Sequence, residues 1–306
     1  MAAEILAPAG SFEALTAAVR CGANAVYLGG KYFNARRNAA NFSQQELEEA
    51  VAYCHARNVK VYLALNTLVA DSETQAALDA IGGACKANVD ALIIQDTGLA
   101  ALVRRVSLSM PMHASTQMSV QSIEGIRELE KLGFCRAVLP RELSEKEIKA
   151  ISDNTDMELE YFVHGALCMC VSGQCLMSSV LGGRSGNRGL CAQPCRLPFG
   201  VNQKGGSNLS LKDLSLVDEL ERLEKAGICS FKIEGCCWGL SGVQSSKSRL
   251  LTCLIGKTQL LCMQCRGIGP HLVARGKSHG FSRVAAGTWG IFSSYDGDAH
   301  SKWEFV

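Results

Sequence analysis

Short apolar runs alternate with longer amphipathic stretches through the first 235 residues. The runs Glu4–Leu6, Ala25–Leu28, Lys60–Leu65, Ala91–Ile94, Met112–Ser115, Arg136–Leu139, Glu158–Phe162 and Ser230–Ile233 are brief, apolar and often β-branched. That is the pattern of strands buried on both faces of a parallel sheet. Between them, Phe12–Cys21, Gln44–Arg57, Glu73–Asn88, Ile123–Leu132, Glu145–Ser152 and Leu214–Ala226 carry helical periodicity. RCGANAVYL, KANVDALII, KLGFCRAVL and KAGICSFKI share one grammar: a helix ends on a basic residue, Gly or Asn follows, and a strand begins. Ser43 and Ser144 precede acidic first turns and predict capping boxes. Eight strands with intervening helices predict a TIM-like (β/α)8 barrel, with an open doubly wound sheet as the runner-up. No GxGxxG turn supports the runner-up. Residues 163–213 form a break too long for an ordinary connection, which marks a functional loop or one with structure of its own.

Composition changes this picture in two places. With 47% hydrophobic and 20% charged residues and a net charge of +2, the chain is globular and carries no strong overall pull toward polyanions. No run of 18 apolar residues and no secretory leader pattern is present, which predicts a cytoplasmic protein that does not cross a membrane. Fifteen Cys in such a chain point to reduced thiols or metal ligands rather than to a disulfide framework. Residues 236–306 differ from the rest: they hold 8 Lys and Arg against 3 Asp and Glu, and all three Trp.

Chemistry in such a barrel sits at the C-terminal strand ends. Asn66, Gln95, Asp96, His113, Gln117, Arg141, Glu142, His164 and Glu234 fall there and outline a shared pocket. His113 and His164 suit acid–base work, ligand anchoring or a structural role. Arg36 and Arg141 can grip a carboxylate or phosphate, or end in ordinary ion pairs. The densest signal is HGALCMCVSGQCLMSSVLGGRSGNRGLCAQPCR, with Cys168, Cys170, Cys175, Cys191 and Cys195 inside 28 residues. Four of these give C-x6-C-x15-C-x3-C. Thiolates in that number suit an iron–sulfur cluster or zinc, and the single tight pair favours iron–sulfur. Cys170 is the spare. Cys21, Cys54, Cys85 and Cys135 read as buried free thiols of the barrel.

At this point the sequence resembles peptidase family U32, the collagenase-like peptidases. EYFVHGALC, SGQCLMS, NRGLCAQPCR and FKIEG carry the resemblance, supported by LAPAGSFEAL, GANAVYLGG, NTLVADSE, IIQDTG and HASTQMS. It spans residues 4–235. It implies a TIM-like barrel and a 4Fe-4S cluster with Cys168, Cys175, Cys191 and Cys195 as ligands. It also implies one of three activities: proteolysis, prephenate-dependent hydroxylation of pyrimidines in tRNA or rRNA, or oxygen-independent hydroxylation in ubiquinone synthesis. HASTQ, GRSGNRG and CRLP look most like the RNA-modifying branch.

The residues give little to a protease. HExxH and GxSxG are absent, a Cys168–His164 pair would conflict with cluster ligation, and Asp96 with Glu234 is the one imaginable acidic pair. The expectation is therefore iron–sulfur-dependent hydroxylation, with His113, His164, Arg141 and Glu234 catalytic. Arg36 and Gln117 would bind the co-substrate, with prephenate as the anionic donor held by Arg36 or Arg141. Arg184, Arg188 and Arg196 would meet RNA phosphates. The alternatives are a peptide substrate, or a non-catalytic iron–sulfur subunit working with a related partner. Two regions follow: a barrel over 1–235, including a cluster loop over 164–206, and an irregular tail over 236–306. In the tail KIEG runs straight into CCWGLSGVQSSKSRLL and periodicity is lost. That predicts a segment produced by a frameshift, recombination or misassembled frame, with a zinc pair Cys262-x2-Cys265 as the lesser reading.

Overall fold

The computed structural model describes residues 3–37, 39–200, 206, 208–235 and 281–282. Strands β1 (Glu4–Pro8), β2 (Ala25–Gly29), β3 (Lys60–Leu65), β4 (Ala91–Ile94), β5 (Met112–Ala114), β6 (Arg136–Val138) and β7 (Glu158–Gly165) lie side by side in chain order, all parallel. β8 (Asp213–Ser215) is a short strand antiparallel to the end of β7. β9 (Ile228–Ile233) pairs with β7 on one side and β1 on the other, both in parallel, and closes the ring. The closure is the TIM-like barrel that the alternating pattern predicts, and it removes the open sheet. A short β10 (Phe281–Ser282) pairs with β8.

Helices α1 (Phe12–Arg20), α2 (Gln44–His55), α3 (Thr74–Ala87), α4 (Thr97–Val106), α5 (Ile123–Leu132) and α6 (Glu145–Ser152) follow strands β1 to β6. α7 (Met177–Gly182) lies in the Cys-rich excursion, and α8 (Leu220–Lys225) precedes β9. Both expected capping boxes form. Ser43 N–H donates to Glu46 Oε2 at 2.7 Å, and Ser144 N–H donates to Glu147 Oε2 at 2.6 Å. The helix-end grammar is equally literal: Asn88 and Gly133 take left-handed φ of 59° and 86° at the ends of α3 and α5.

Side chains alternate across each strand. Ile5, Val26, Val61, Leu63, Leu92 and Ile94 face outward into one large core with Leu15, Leu47, Ile81, Leu99, Ile126 and Ile148 of the helices. Each such burial is worth about 1.5–3 kcal/mol. The opposite parity fills the ring with a small separate cluster, Leu6, Ala25, Tyr62, Ala91 and Ile93.

Three expectations need correction. Residues 213–216 are not helical, although Leu214–Ala226 reads as one helix, and Val217–Glu219 form only a 3-10 turn. His164 pairs with Ser215, and Leu216 N–H donates to Val163 O at 2.9 Å, so the backbone there is spent on β7 and the helix starts at Leu220. β7 runs on to Gly165, beyond Phe162. Cys54 is buried as expected and Cys21 partly so, but Cys85 and Cys135 are exposed. The readings made for the tail lie outside the described residues, apart from the backbone pairing of 281–282.

Candidate active site at the barrel mouth

The inward parity of the strands points Tyr62, Ile93 and Glu160 along the barrel axis, and continuing it places Asn66, Gln95 and Glu234 at the C-terminal mouth. Glu234 is the hub. Its Oε1 accepts from Arg36 and its Oε2 from Arg141. The Arg141 guanidinium lies 3.7 Å over the Phe162 ring and is only 8% exposed. Burial pushes Arg141 down from the usual arginine range, while Cys168 and Glu142 pull it back up. Two guanidiniums thus share one carboxylate at the mouth, with Glu142 also within electrostatic range of Arg141. Arg36 is aimed by local structure: its N–H donates to Asn34 Oδ1 at 2.8 Å, and Ala35 N–H donates to Asn66 Oδ1 at 2.9 Å. The Tyr27 hydroxyl, raised by burial and lowered by Arg36 and Arg141, donates to Ile233 O at 2.9 Å. Glu234 N–H donates to His164 O at 2.8 Å, which ties buried His164 to the hub through the backbone.

Gly165 makes this junction possible. Its φ is +114°, and a Cβ there would lie 2.5 Å from Glu234 Cβ. Asp96 is not part of an acidic pair. Its Oδ1 accepts from Leu99 N–H at 2.8 Å as the cap of α4, and its Oδ2 accepts from Val69 N–H at 3.1 Å. His113 sits lower than expected, level with Ile93 and Arg136, 4% exposed, its ring edge against Tyr62 at 4.7 Å. Burial, with Arg136 and Lys232 nearby, holds it well below the usual histidine range, so it stays neutral.

Beneath the mouth lies a buried charged network that the sequence reading did not anticipate. Arg136 donates to Glu4 Oε1 at 2.6 Å, Glu158 Oε2 at 2.8 Å and Glu160 Oε2 at 3.2 Å. Lys232 donates to Glu160 Oε1 at 2.8 Å and stands 4.5 Å over the Tyr27 ring. Ser230 and Tyr62 complete the acceptors on Glu4 and Glu160. Burial opposes the charge on Arg136, but Glu160 and Glu4 outweigh it and its pKa rises. Burial wins at Lys232, which is lowered. The available signal was parity: Glu160 in ELEYFVH and Lys232 in FKIEG occupy inward positions of otherwise apolar strands.

The Cys-rich excursion folds over this mouth. Arg188 clamps Glu73 with two bonds of 2.7 Å and donates to Leu68 O at 2.7 Å. Arg196 donates to Leu211 O at 2.6 Å and Leu167 O at 2.8 Å, and Arg184 to Leu190 O at 3.1 Å. Arg188 and Arg196 therefore build the loop with most of their donors engaged inside the chain, while exposed Arg184 engages only its Nε. Ser172 donates to Glu142 Oε1 through both its N–H (3.0 Å) and its hydroxyl (3.1 Å).

The four expected ligand cysteines gather here. Burial pushes the Cys195 thiol up, Arg196 opposes this, and Cys168, Cys191 and Cys175 all add to the rise, so each of the three lies within electrostatic range of Cys195. A Cβ on Gly186 would sit 3.8 Å from both Cys191 Cβ and Cys175 O. Cys170 lies among them beside Cys175. Among the described residues, no three Cys, His, Asp or Glu side chains are close enough to hold one metal ion. Four cysteine thiolates are a soft donor set of the kind that suits an iron–sulfur cluster or zinc.

Over 242 residues the chain is 40% identical to the 23S rRNA 5-hydroxycytidine synthase of Escherichia coli, covering 76% of this chain and 36% of that protein. It is 35% identical over 245 residues to a tRNA hydroxylation protein of Bacillus subtilis, covering 76% and 58%. It is 34% identical over 253 residues to a collagenase of Porphyromonas gingivalis, covering 76% and 60%. The chain thus spans between about a third and three-fifths of the length of the curated relatives it matches. A solved structure of a U32 peptidase shares the fold with a TM-score of 0.55 at 14% identity, covering 77% of this chain and 93% of that one. The description Peptidase family U32 matches residues 10–246, past the limit of 235 set by the motifs, and so the chain belongs to that family.

Proposed function

We propose that the chain is the barrel of an enzyme that hydroxylates a pyrimidine in tRNA or rRNA. The observation that carries this is that Cys168, Cys175 and Cys191 all lie within electrostatic range of Cys195, in the loop over a mouth where Arg36 and Arg141 share Glu234. The names of the E. coli and B. subtilis relatives support the RNA substrate. The four cysteines would hold a 4Fe-4S cluster, which supplies electron transfer when bound. Arg36 and Arg141 bind an anionic co-substrate such as prephenate, each bringing an N–H fork partly neutralised by Glu234. Gln117 borders the same mouth. His164 fixes Glu234 from below, and neutral His113 closes the floor against Tyr62, a positioning role rather than acid–base work. The reading places the chain in the cytoplasm with its RNA, and among the described residues no helix is long and apolar enough to cross a membrane.

The collagenase relative keeps a peptidase reading in view. Against it, the expected acidic pair does not form: Glu234 is engaged by two arginines and Asp96 by two backbone N–H groups. Anaerobic purification with iron and sulfide determination tests the proposal. About four of each per chain is expected, with loss of both in Cys168→Ala. A colourless protein with stoichiometric zinc defeats it. Mass spectrometry of bulk RNA from cells with and without the gene tests the substrate, and unchanged hydroxylated pyrimidines would remove it.

A further inference from the structure

One wall of the mouth is rich in acceptors that no described residue fills. Gln95 Oε1, Thr116 Oγ1, Gln117 Oε1 and Glu142 Oε2 are buried and have no hydrogen-bond partner among the described residues. Leaving such atoms unmet costs about 1–3 kcal/mol each, so a recurring set on one wall points to a ligand that meets them. They come from the ends of three consecutive strands, β4, β5 and β6, and short contacts link them. Gln95 Nε2 faces Gln117 O at 3.5 Å. Gly173, with φ +78°, presses so close to Gln117 that a Cβ would lie 2.3 Å from its carbonyl oxygen. The neighbouring Ser172, 3% exposed, holds Glu142 by one oxygen. The Cys-rich loop therefore closes over the acceptors.

Two of these acceptors are fixed in identity. A main-chain carbonyl only accepts, so the Gln95 nitrogen must face Gln117 O and its oxygen must point elsewhere. Glu142 is a carboxylate with one oxygen committed to Ser172, so the other can only accept while ionised. Carboxylates of a co-substrate would be repelled here, and the arginine centre at the far side of Glu142 suits them instead. A pyrimidine edge with N–H donors fits.

We propose that Gln95, Thr116, Gln117 and Glu142 form the base-reading wall of this mouth and select cytosine over uracil. The inference rests on the pyrimidine-hydroxylase reading above and deepens it. The cytosine amino group offers two N–H donors, enough for Glu142 and Gln95 together. Uracil offers one N–H flanked by two carbonyl oxygens, and its O4 would face the carboxylate. The Thr116 hydroxyl can rotate to donate to a ring acceptor of cytosine.

The test is isothermal titration of cytidine and uridine 5′-monophosphate into the full chain, as wild type and as Glu142→Gln and Gln95→Met, with circular dichroism to verify folding. Cytidine monophosphate should bind roughly 10-fold or more tighter. Glu142→Gln keeps an acceptor for Ser172 but turns the free oxygen into a donor, so the ratio should move toward uridine by roughly 10-fold. Gln95→Met should weaken cytidine without helping uridine. Equal binding, a uridine preference, or no binding of either nucleotide (acceptors satisfied by water alone) overturns the base-reading wall. A cytidine preference in a protein that leaves RNA unmodified upholds the wall and fails the hydroxylase reading. Hydroxyuridine as the sole product upholds the hydroxylase and fails the wall.

Discussion

Glu160 is fully buried and carries three partners, Arg136, Lys232 and Ser230. Removing one member of such a group strands the others in a low-dielectric interior. Glu160→Ala should therefore lower the unfolding free energy by about 3–5 kcal/mol in urea titration. Adding Lys232→Met to that variant should recover part of the loss, because a stranded cation is removed. A second residue-scale prediction concerns His113. Its folded-state pKa lies well below the ordinary 6.5, so below pH 6.5 the unfolded chain binds a proton that the folded chain does not. Stability is then fully present above 6.5 and falls as pH drops through it, by up to about 1.4 kcal/mol per pH unit. His113→Phe keeps the ring against Tyr62 and should flatten urea midpoints between pH 7.5 and 5.5. An unchanged slope would refute this account of His113.

At the scale of elements, the caps and straps decide how the mouth is held. Ser144→Ala removes one side of a capping box on α6 and should cost about 1 kcal/mol in the same urea assay. The Arg188–Glu73 clamp joins the Cys-rich excursion to the start of α3. Arg188 holds the Glu73 carboxyl down at about 2, below its ordinary 4.5. The clamp is complete above pH 4.5 and is lost as pH falls toward 2. Both side chains are about a third exposed, so it contributes no more than about 1 kcal/mol. Its effect should show in the loop rather than in the barrel: Arg188→Ala should speed limited proteolysis within residues 166–200 several-fold while the urea midpoint barely moves. Helix starts and stops were legible from Ser43, Ser144, Asn88 and Gly133, because each cap is a contact between residues near in sequence. β8 was not, because residues 213–216 look amphipathic alone and become a strand only through their bonds to Val163 and His164.

For the whole molecule, one junction joins the barrel to its mouth: Gly165 against Glu234, with Arg36 and Arg141 on either side. Gly165→Ala should displace Glu234 and scatter the two arginines it holds. The expected readout is weaker binding of a dicarboxylate such as prephenate in calorimetry, with the barrel's far-ultraviolet dichroism retained. Unchanged affinity would separate the arginines from the anion. Arg184, Arg188 and Arg196 carry a related lesson. A basic loop suggests phosphate contacts when read as a string, yet here each guanidinium finds a carbonyl or carboxylate of its own chain. Charge counts report how many donors a loop has but not whether its own fold consumes them.

Strand and helix order, the closed ring, the cysteine spacing and the polar rim follow from periodicity and motif, since these are properties of neighbours along one chain. The buried Arg136–Glu160–Lys232 network, the sealing of His113 beneath the mouth, the use of Asp96 as a cap and the unfilled acceptors of Gln95 and Glu142 arise only when strands far apart in sequence share one interior. There parity decides which side chains meet, and the lack of water decides which of them must be paired.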